Sequence, residues 1–248
     1  MNLIETEIGE LKTEMIDMTY MVKGQIEKCI AAVYSFDKDL AKEIIKNEKW
    51  VNGFELRIDS KCEHILALFN PVAIDLRFVV AALKMVSDLE RIGDNAKGIA
   101  QYLVRFETPF DDELIKRFRL QEMTDTIIDM LEILSTSFEK DNTKLARTVF
   151  AKDEILDEIN NKANEVLQEY VLHEKDPQKI MHAIYFLSVI RKMERVGDYI
   201  TNIAEEIIFY VKAKVLRHNK KEKAKGRHKE GSHHIDESGA AEEENQSL

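Results

Sequence analysis

The chain has 248 residues, 44% of them hydrophobic and 33% charged, with a formal net charge of −10. This balance suits a sizeable core under a charged surface, and the acidic excess disfavours DNA, RNA and anionic lipid as partners. Only 9 Gly and 3 Pro occur, too few for a turn-rich all-β fold.

Six long helices are expected, at about 3–34, 38–69, 73–106, 112–139, 143–173 and 178–214. The first opens with acids at Glu5, Glu7 and Glu10, without the basic start and apolar stretch of a signal peptide. It carries Cys29, and the second carries Cys62. Neither belongs to a C-x-x-C pair, so both read as buried, reduced thiols. The third holds the longest clearly apolar run, Phe78 to Leu83, far short of the roughly 20 residues that span a bilayer. A cytoplasmic location is therefore expected, with any membrane role acting through a partner. All three prolines fall in the breaks between segments, where a missing N–H does no harm. Asp37, Asp111, Asn142 and Asp176 stand where each can cap a following helix.

Apolar stripes support this reading. Met85, Leu89, Ile92, Ala96, Ile99 and Leu103 recur at spacings of four and three, as do Val189, Met193, Val196, Ile200, Ile203 and Ile207. Such stripes face a core. A shift of 104 residues then superimposes the two halves. Glu90-Arg91-Ile92-Gly93-Asp94 meets Glu194-Arg195-Val196-Gly197-Asp198, Leu83 meets Leu187, and Val51 meets Ile155. That period equals three helices with short turns. The expected fold is all-α: two tandem three-helix bundles related by internal pseudo-symmetry, at 1–108 and 109–216. A charged tail, 217–248, follows. Its basic part runs from Arg217 to Lys229, and it has almost no apolar residue, so it is expected to be disordered. It holds His218, His228, His233 and His234, which read as part of a solvated linker or as a metal-binding tract. His64, His173 and His182 stand alone and read as structural.

Each repeat stacks two carboxylates one turn apart, Glu90 over Asp94 and Glu194 over Asp198. Like charges so placed repel by a few tenths of a kcal/mol. In the second half the line continues through Asn202 and Glu205, whereas Gly98 and Gln101 stand at those positions in the first. Oxygen-bearing side chains in a row suit hard or borderline cations such as Mg²⁺, Ca²⁺, Mn²⁺ or iron. A solvated acidic face neutralised by Arg91 and Arg195 has the same spacing. Gly93 and Gly197 lie inside helices, where Gly costs about 1 kcal/mol against Ala, which points to close approach by a neighbour. No E-x-x-H pattern accompanies the acids, which argues against an oxygen-activating di-iron bundle. There is no nucleophile elbow, phosphate-binding glycine loop or zinc pattern either.

The stretch Pro71-Val72-Ala73-Ile74-Asp75-Leu76-Arg77, followed by Asp88-Leu89-Glu90-Arg91-Ile92-Gly93-Asp94, resembles the first half of PhoU-family proteins. Met193 to Asp198, with Thr201-Asn202-Ile203-Ala204-Glu205, resembles the second, and Tyr210 to His218 is similar to the family's usual end. The resemblance spans residues 5–218. It implies two tandem three-helix bundles in a cytoplasmic, often dimeric, non-enzymatic regulator of phosphate uptake and of the phosphate-starvation response. Implied partners are the ATPase subunit of the phosphate transporter and a membrane sensor histidine kinase. Implied cofactors are metal ions: iron, zinc, manganese or magnesium. By position the implied metal residues are Glu90, Asp94, Glu194 and Asp198, with Asn202 and Glu205 as secondary ligands. The first half departs from the pattern at Gly98 and Gln101, which puts fewer or weaker ions there. A metal-dependent enzyme on a helical bundle and a purely structural helical protein are the competing readings.

Overall fold

This computed structural model of the chain describes residues 3–213. They form helices α1 (Leu3–Ser35), α2 (Lys38–Phe69), α3 (Ala73–Arg105), α4 (Asp112–Arg117), α5 (Leu120–Glu139), α6 (Thr143–Ala146), α7 (Val149–His173) and α8 (Pro177–Lys212). No strand occurs among the described residues. The expected disordered tail from 217 lies outside them.

The four anticipated caps all form. Asp37 accepts from the Asp39 and Leu40 amides, Asp111 from Glu113, Asn142 from Lys144 and Leu145, and Asp176 from Gln178. Each satisfies helix-start N–H groups that have no partner within the helix. Pro177 occupies the first turn of α8, where its fixed φ suits the helix start.

Two of the six expected segments are broken. The fourth divides into α4 and α5 at Arg119, whose φ of 53° lies in the left-handed region. Its guanidinium is held by Glu122 at 2.7 and 2.8 Å and by Glu158 of α7 at 3.1 Å. The break lets Phe118 bury itself against Phe186 of α8, with ring centroids 5.3 Å apart. The fifth segment divides into α6 and α7. There the Thr148 hydroxyl donates to the Leu145 carbonyl, a local bond that competes with the helix.

Helices α1, α2 and α3 pack together, and so do α5, α7 and α8. Both apolar stripes are buried along their whole length. Full burial of one large apolar side chain contributes roughly 1.5–3 kcal/mol, so these stripes dominate the stability of each bundle. The bundles meet along α3 and α8, which run antiparallel. Arg77 donates to the Tyr210 carbonyl at 3.3 Å, and Lys84 reaches Glu206 at 2.8 Å. Asp88 bonds the Asn202 side chain, Arg91 lies over the Tyr199 ring, and Tyr102 meets Tyr185. On the flank, Lys12 of α1 pairs at 2.8 Å with Asp141, just beyond α5.

Candidate metal centres

The duplicated glycines fix where the acids meet. A Cβ at Gly93 would lie 3.2 Å from Val51 Cγ1 of α2. A Cβ at Gly197 would collide with Leu156 of α7 and lie 2.8 Å from Asp153 Oδ1. Glycine therefore lets the second and third helix of each bundle approach closely, as its position inside a helix suggested. That approach carries acids from the neighbouring helix into reach. Glu48 of α2 joins Glu90 and Asp94 of α3, with one oxygen of each within 4.8 Å of the others. Asp153 and Asp157 of α7 join Asp198 of α8 in the same way. Glu48 and Asp153 are buried, Asp157, Asp198 and Glu90 half-buried, and Asp94 exposed.

The two groups occupy equivalent places. Val51 and Leu156 both pack on the glycine, so α2 matches α7 at a shift of 105, whereas α3 matches α8 at 104. Glu48 thus corresponds to Asp153, and Asn52 to Asp157. The pairing of Val51 with Ile155 expected from a uniform shift is displaced by one residue. Around the second group stand Asp153, Asp157, Glu194 and Asp198. Around the first stand Glu48, Asn52, Glu90 and Asp94.

The first group is partly neutralised from within. Lys97 Nζ lies 3.0 Å from Glu48 and 3.3 Å from Asp94, and these pairs hold its pKa above the ordinary lysine value. Asn52 Nδ2 donates to Glu48 Oε1 at 2.8 Å. Burial raises the Glu90 pKa, with Asp94, Glu55 and Glu48 adding repulsion. Glu55 is likewise pushed up, by burial first and then by Asp59. The charged forms of Glu90 and Glu55 would therefore be stabilised by a nearby cation.

The expected residues divide as follows. Glu90 and Asp94 come together, with Glu48 as a third acid. Asp198 comes together with Asp153 and Asp157, and Glu194 stands half-buried one turn before it on α8. Asn202 turns to the seam, where it bonds Asp88. Glu205 is half-buried further along α8, outside the three-acid group. Sequence reasoning missed Glu48, Asp153 and Asp157. Their signal was a second i, i+4 pair, Glu48 with Asn52 and Asp153 with Asp157. A uniform shift of 104 sets Glu48 against Lys152 and Asp153 against Lys49, which hides it.

The donors in both groups are carboxylate oxygens, with no His or Cys. Such a set fits hard divalent cations such as Mg²⁺ or Mn²⁺, and iron, better than the N/S-rich sites typical of zinc. Lys97 already stands in for a cation in the first group. None of the described helices is long and apolar enough to cross a membrane.

Paired three-helix bundles, each with an acid group where its second and third helix meet, define an all-helical protein of duplicated, acid-bearing bundles. The model of the PhoU domain matches the chain twice, at residues 15–103 and 120–207. The chain belongs to the PhoU family. It is 33% identical over 214 residues to the phosphate-specific transport system accessory protein PhoU homolog of Aquifex aeolicus, covering 86% of this chain and 94% of that one. It is 32% identical over 213 residues to the accessory protein PhoU of Escherichia coli, covering 86% of each. The crystal structure of the phosphate transport system regulatory protein PhoU from Streptococcus pneumoniae superimposes with a TM-score of 0.74 at 27% identity, covering 86% of this chain and 99% of that one. That of PhoU from Pseudomonas aeruginosa gives 0.75 at 26%, covering 85% and 99%.

Proposed function

We propose that this chain is an accessory protein of phosphate-specific transport, and that it restrains phosphate uptake and the phosphate-starvation response. One observation carries the reading: relatives matched along almost their whole length are named as accessory proteins of that transport system. The proposal extends to a cytoplasmic adaptor, acting as a homodimer without catalysis of its own. Its partners would be the ATPase subunit of the phosphate transporter and a sensor histidine kinase. With phosphate plentiful, it would hold both and keep the kinase from activating its response regulator.

The physical support is rigidity. Long helices with buried stripes present fixed faces, and fixed faces bind with little ordering cost. The acid groups add metal-dependent bracing. Asp153, Asp157, Glu194 and Asp198 would hold a hard divalent cation, and Glu48, Glu90 and Asp94 supply the equivalent set in the first bundle. A bound cation would offset the repulsion between these acids and tie α7 to α8.

The test is capture of the full chain from cells grown in high phosphate, followed by identification of what comes with it. Recovery of the transporter ATPase or the sensor kinase, lost on transfer to low phosphate, is the expected result. Consistent recovery of neither sinks the adaptor reading.

A further inference from the structure

Lys28 meets Glu43 at 2.6 Å, Glu14 meets Arg57 at 3.0 Å and Glu10 meets Lys61 at 2.6 Å, which fixes α1 and α2 antiparallel in a single register. Met21 is thereby level with Trp50, Gly24 with Asn47 and Lys28 with Glu43. Met21, Gly24, Gln25, Lys28, Asn47 and Trp50 line a surface groove of about 360 Å³, a size within the range of small-ligand sites. Gln25 is 4% exposed, yet neither the nitrogen nor the oxygen of its amide has a hydrogen-bond partner among the described residues. A buried amide left unpaired is costly, and most buried amides in folded proteins are paired. Gly24 stands in the interior of α1, where glycine weakens a helix, and a Cβ there would meet nothing within 4 Å. Helix packing therefore does not call for that glycine, and the space above it is the floor of the groove. Trp50, the one tryptophan of the chain, is 60% exposed at one end. The exposed Lys28 stands at the other.

We infer that this groove binds a purine mononucleotide, with the base on Trp50, its polar edge on the Gln25 amide and its phosphate at Lys28. The amide of Gln25 offers one donor and one acceptor side by side, the pattern that a purine presents along its edge. An exposed indole is a stacking platform for a flat base. Asn47, half-buried and level with Gly24, brings a second amide beside the first. From the level of Trp50 to that of Lys28, α1 rises about 10 Å, the length of a mononucleotide. Glu43 holds the Lys28 ammonium in the empty groove, but an exposed pair of this kind contributes little, and a phosphate can replace it. Met21 is half-buried and flexible, and it is the side chain that the base displaces to reach the amide. The net charge of −10 opposes a polynucleotide, so a single nucleotide is the fitting class. None of the lining residues belongs to either acid group, and binding here is independent of metal and of the transport role.

The test reads the fluorescence of Trp50, the chain's single indole, in the full chain titrated with AMP and with GMP and excited where purines do not absorb. Saturable quenching by one or both, with none from inorganic phosphate, is the expected result. Adenosine should bind roughly threefold more weakly than AMP, and Lys28→Gln should remove that difference. Gly24→Met fills the groove where nothing in the fold is touched, and it should abolish binding. Gln25→Leu should weaken binding roughly tenfold and leave the urea midpoint unchanged or raised, because it removes an unpaired buried amide. A glutamine with a purely structural role would instead lower that midpoint and leave binding as it was. No saturable quenching by either purine nucleotide overturns the inference. So does undiminished binding in folded Gly24→Met or Gln25→Leu protein, or quenching by inorganic phosphate equal to that by the nucleotides. Adenosine binding as tightly as AMP takes the phosphate away from Lys28 and overturns the nucleotide assignment.

Discussion

His182 of α8 packs its imidazole against Phe106 at a centroid distance of 4.4 Å and against Phe110 at 5.9 Å. Burial lowers its pKa below the usual 6.5, with Asp176 pulling weakly the other way. In the folded state it therefore stays neutral where the unfolded chain has begun to take up a proton. The stability this contributes is present above pH 6.5 and is lost as pH falls through the lowered folded value. His182→Phe should keep the aromatic packing and remove that loss. The expected result is a smaller drop in urea midpoint between pH 7.5 and 5.5 for the variant than for wild type; equal drops would refute it. The residue scale also shows what a lone histidine in sequence conveys: a structural role was legible, but its ring partners were not, because Phe106 and Phe110 lie on a linker some 70 residues away. Cys29 and Cys62 follow the same pattern. Both are buried as read from sequence, and burial pushes each thiol up to about 12.

Between elements, the decisive distance is that from α2 to α3 and from α7 to α8. Gly93 and Gly197 set it, but unequally. At Gly93 an added methyl meets Val51, which need give by only a few tenths of an ångström. Alanine also gains about 1 kcal/mol of helix propensity there, so Gly93→Ala should be close to neutral. At Gly197 the methyl collides with Leu156 and presses on Asp153. Overpacking of this kind costs about 1–3 kcal/mol, which the same propensity gain of about 1 kcal/mol offsets in part, so Gly197→Ala should lower the metal-free unfolding free energy measured in urea relative to Gly93→Ala. Equal effects at both glycines would contradict the difference in fit. The apolar stripes and caps of these helices were plain in the sequence because both are local signals, carried by 3.6-residue periodicity and by single polar residues at breaks. The break at Arg119 was not. It is set by a burial partner for Phe118 on α8 and by Glu158 on α7, neither of which a window of sequence contains. Half of each acid group was hidden for a related reason. The α7–α8 hairpin is one residue shorter between matching acids than the α2–α3 hairpin, and a repeat read at one constant shift misaligns them.

At the scale of the molecule, the two bundles meet where α3 packs on α8 and where α1 packs on α5, and two crossings along α3 and α8 are related by the same internal duplication. Asp88 meets Asn202, and at the equivalent crossing Gly98 meets Lys192. Two copies of the first bundle joined this way would set Asp88 against Gly98 at both crossings. Two copies of the second would set Lys192 against Asn202 at both. Only the mixed pairing joins Asp88 to its amide and gives Lys192 its recess. Cutting the intact protein at an inserted protease site at the exposed Glu107–Pro109 linker should therefore leave 1–108 and the remainder bound to each other through gel filtration. Separation of the cut protein into two species, each a pair of like halves, would show that the seam does not discriminate. The duplication that built this chain has thus left its halves complementary rather than identical: one brings the acid and the recess, the other the amide and the ammonium that fill them.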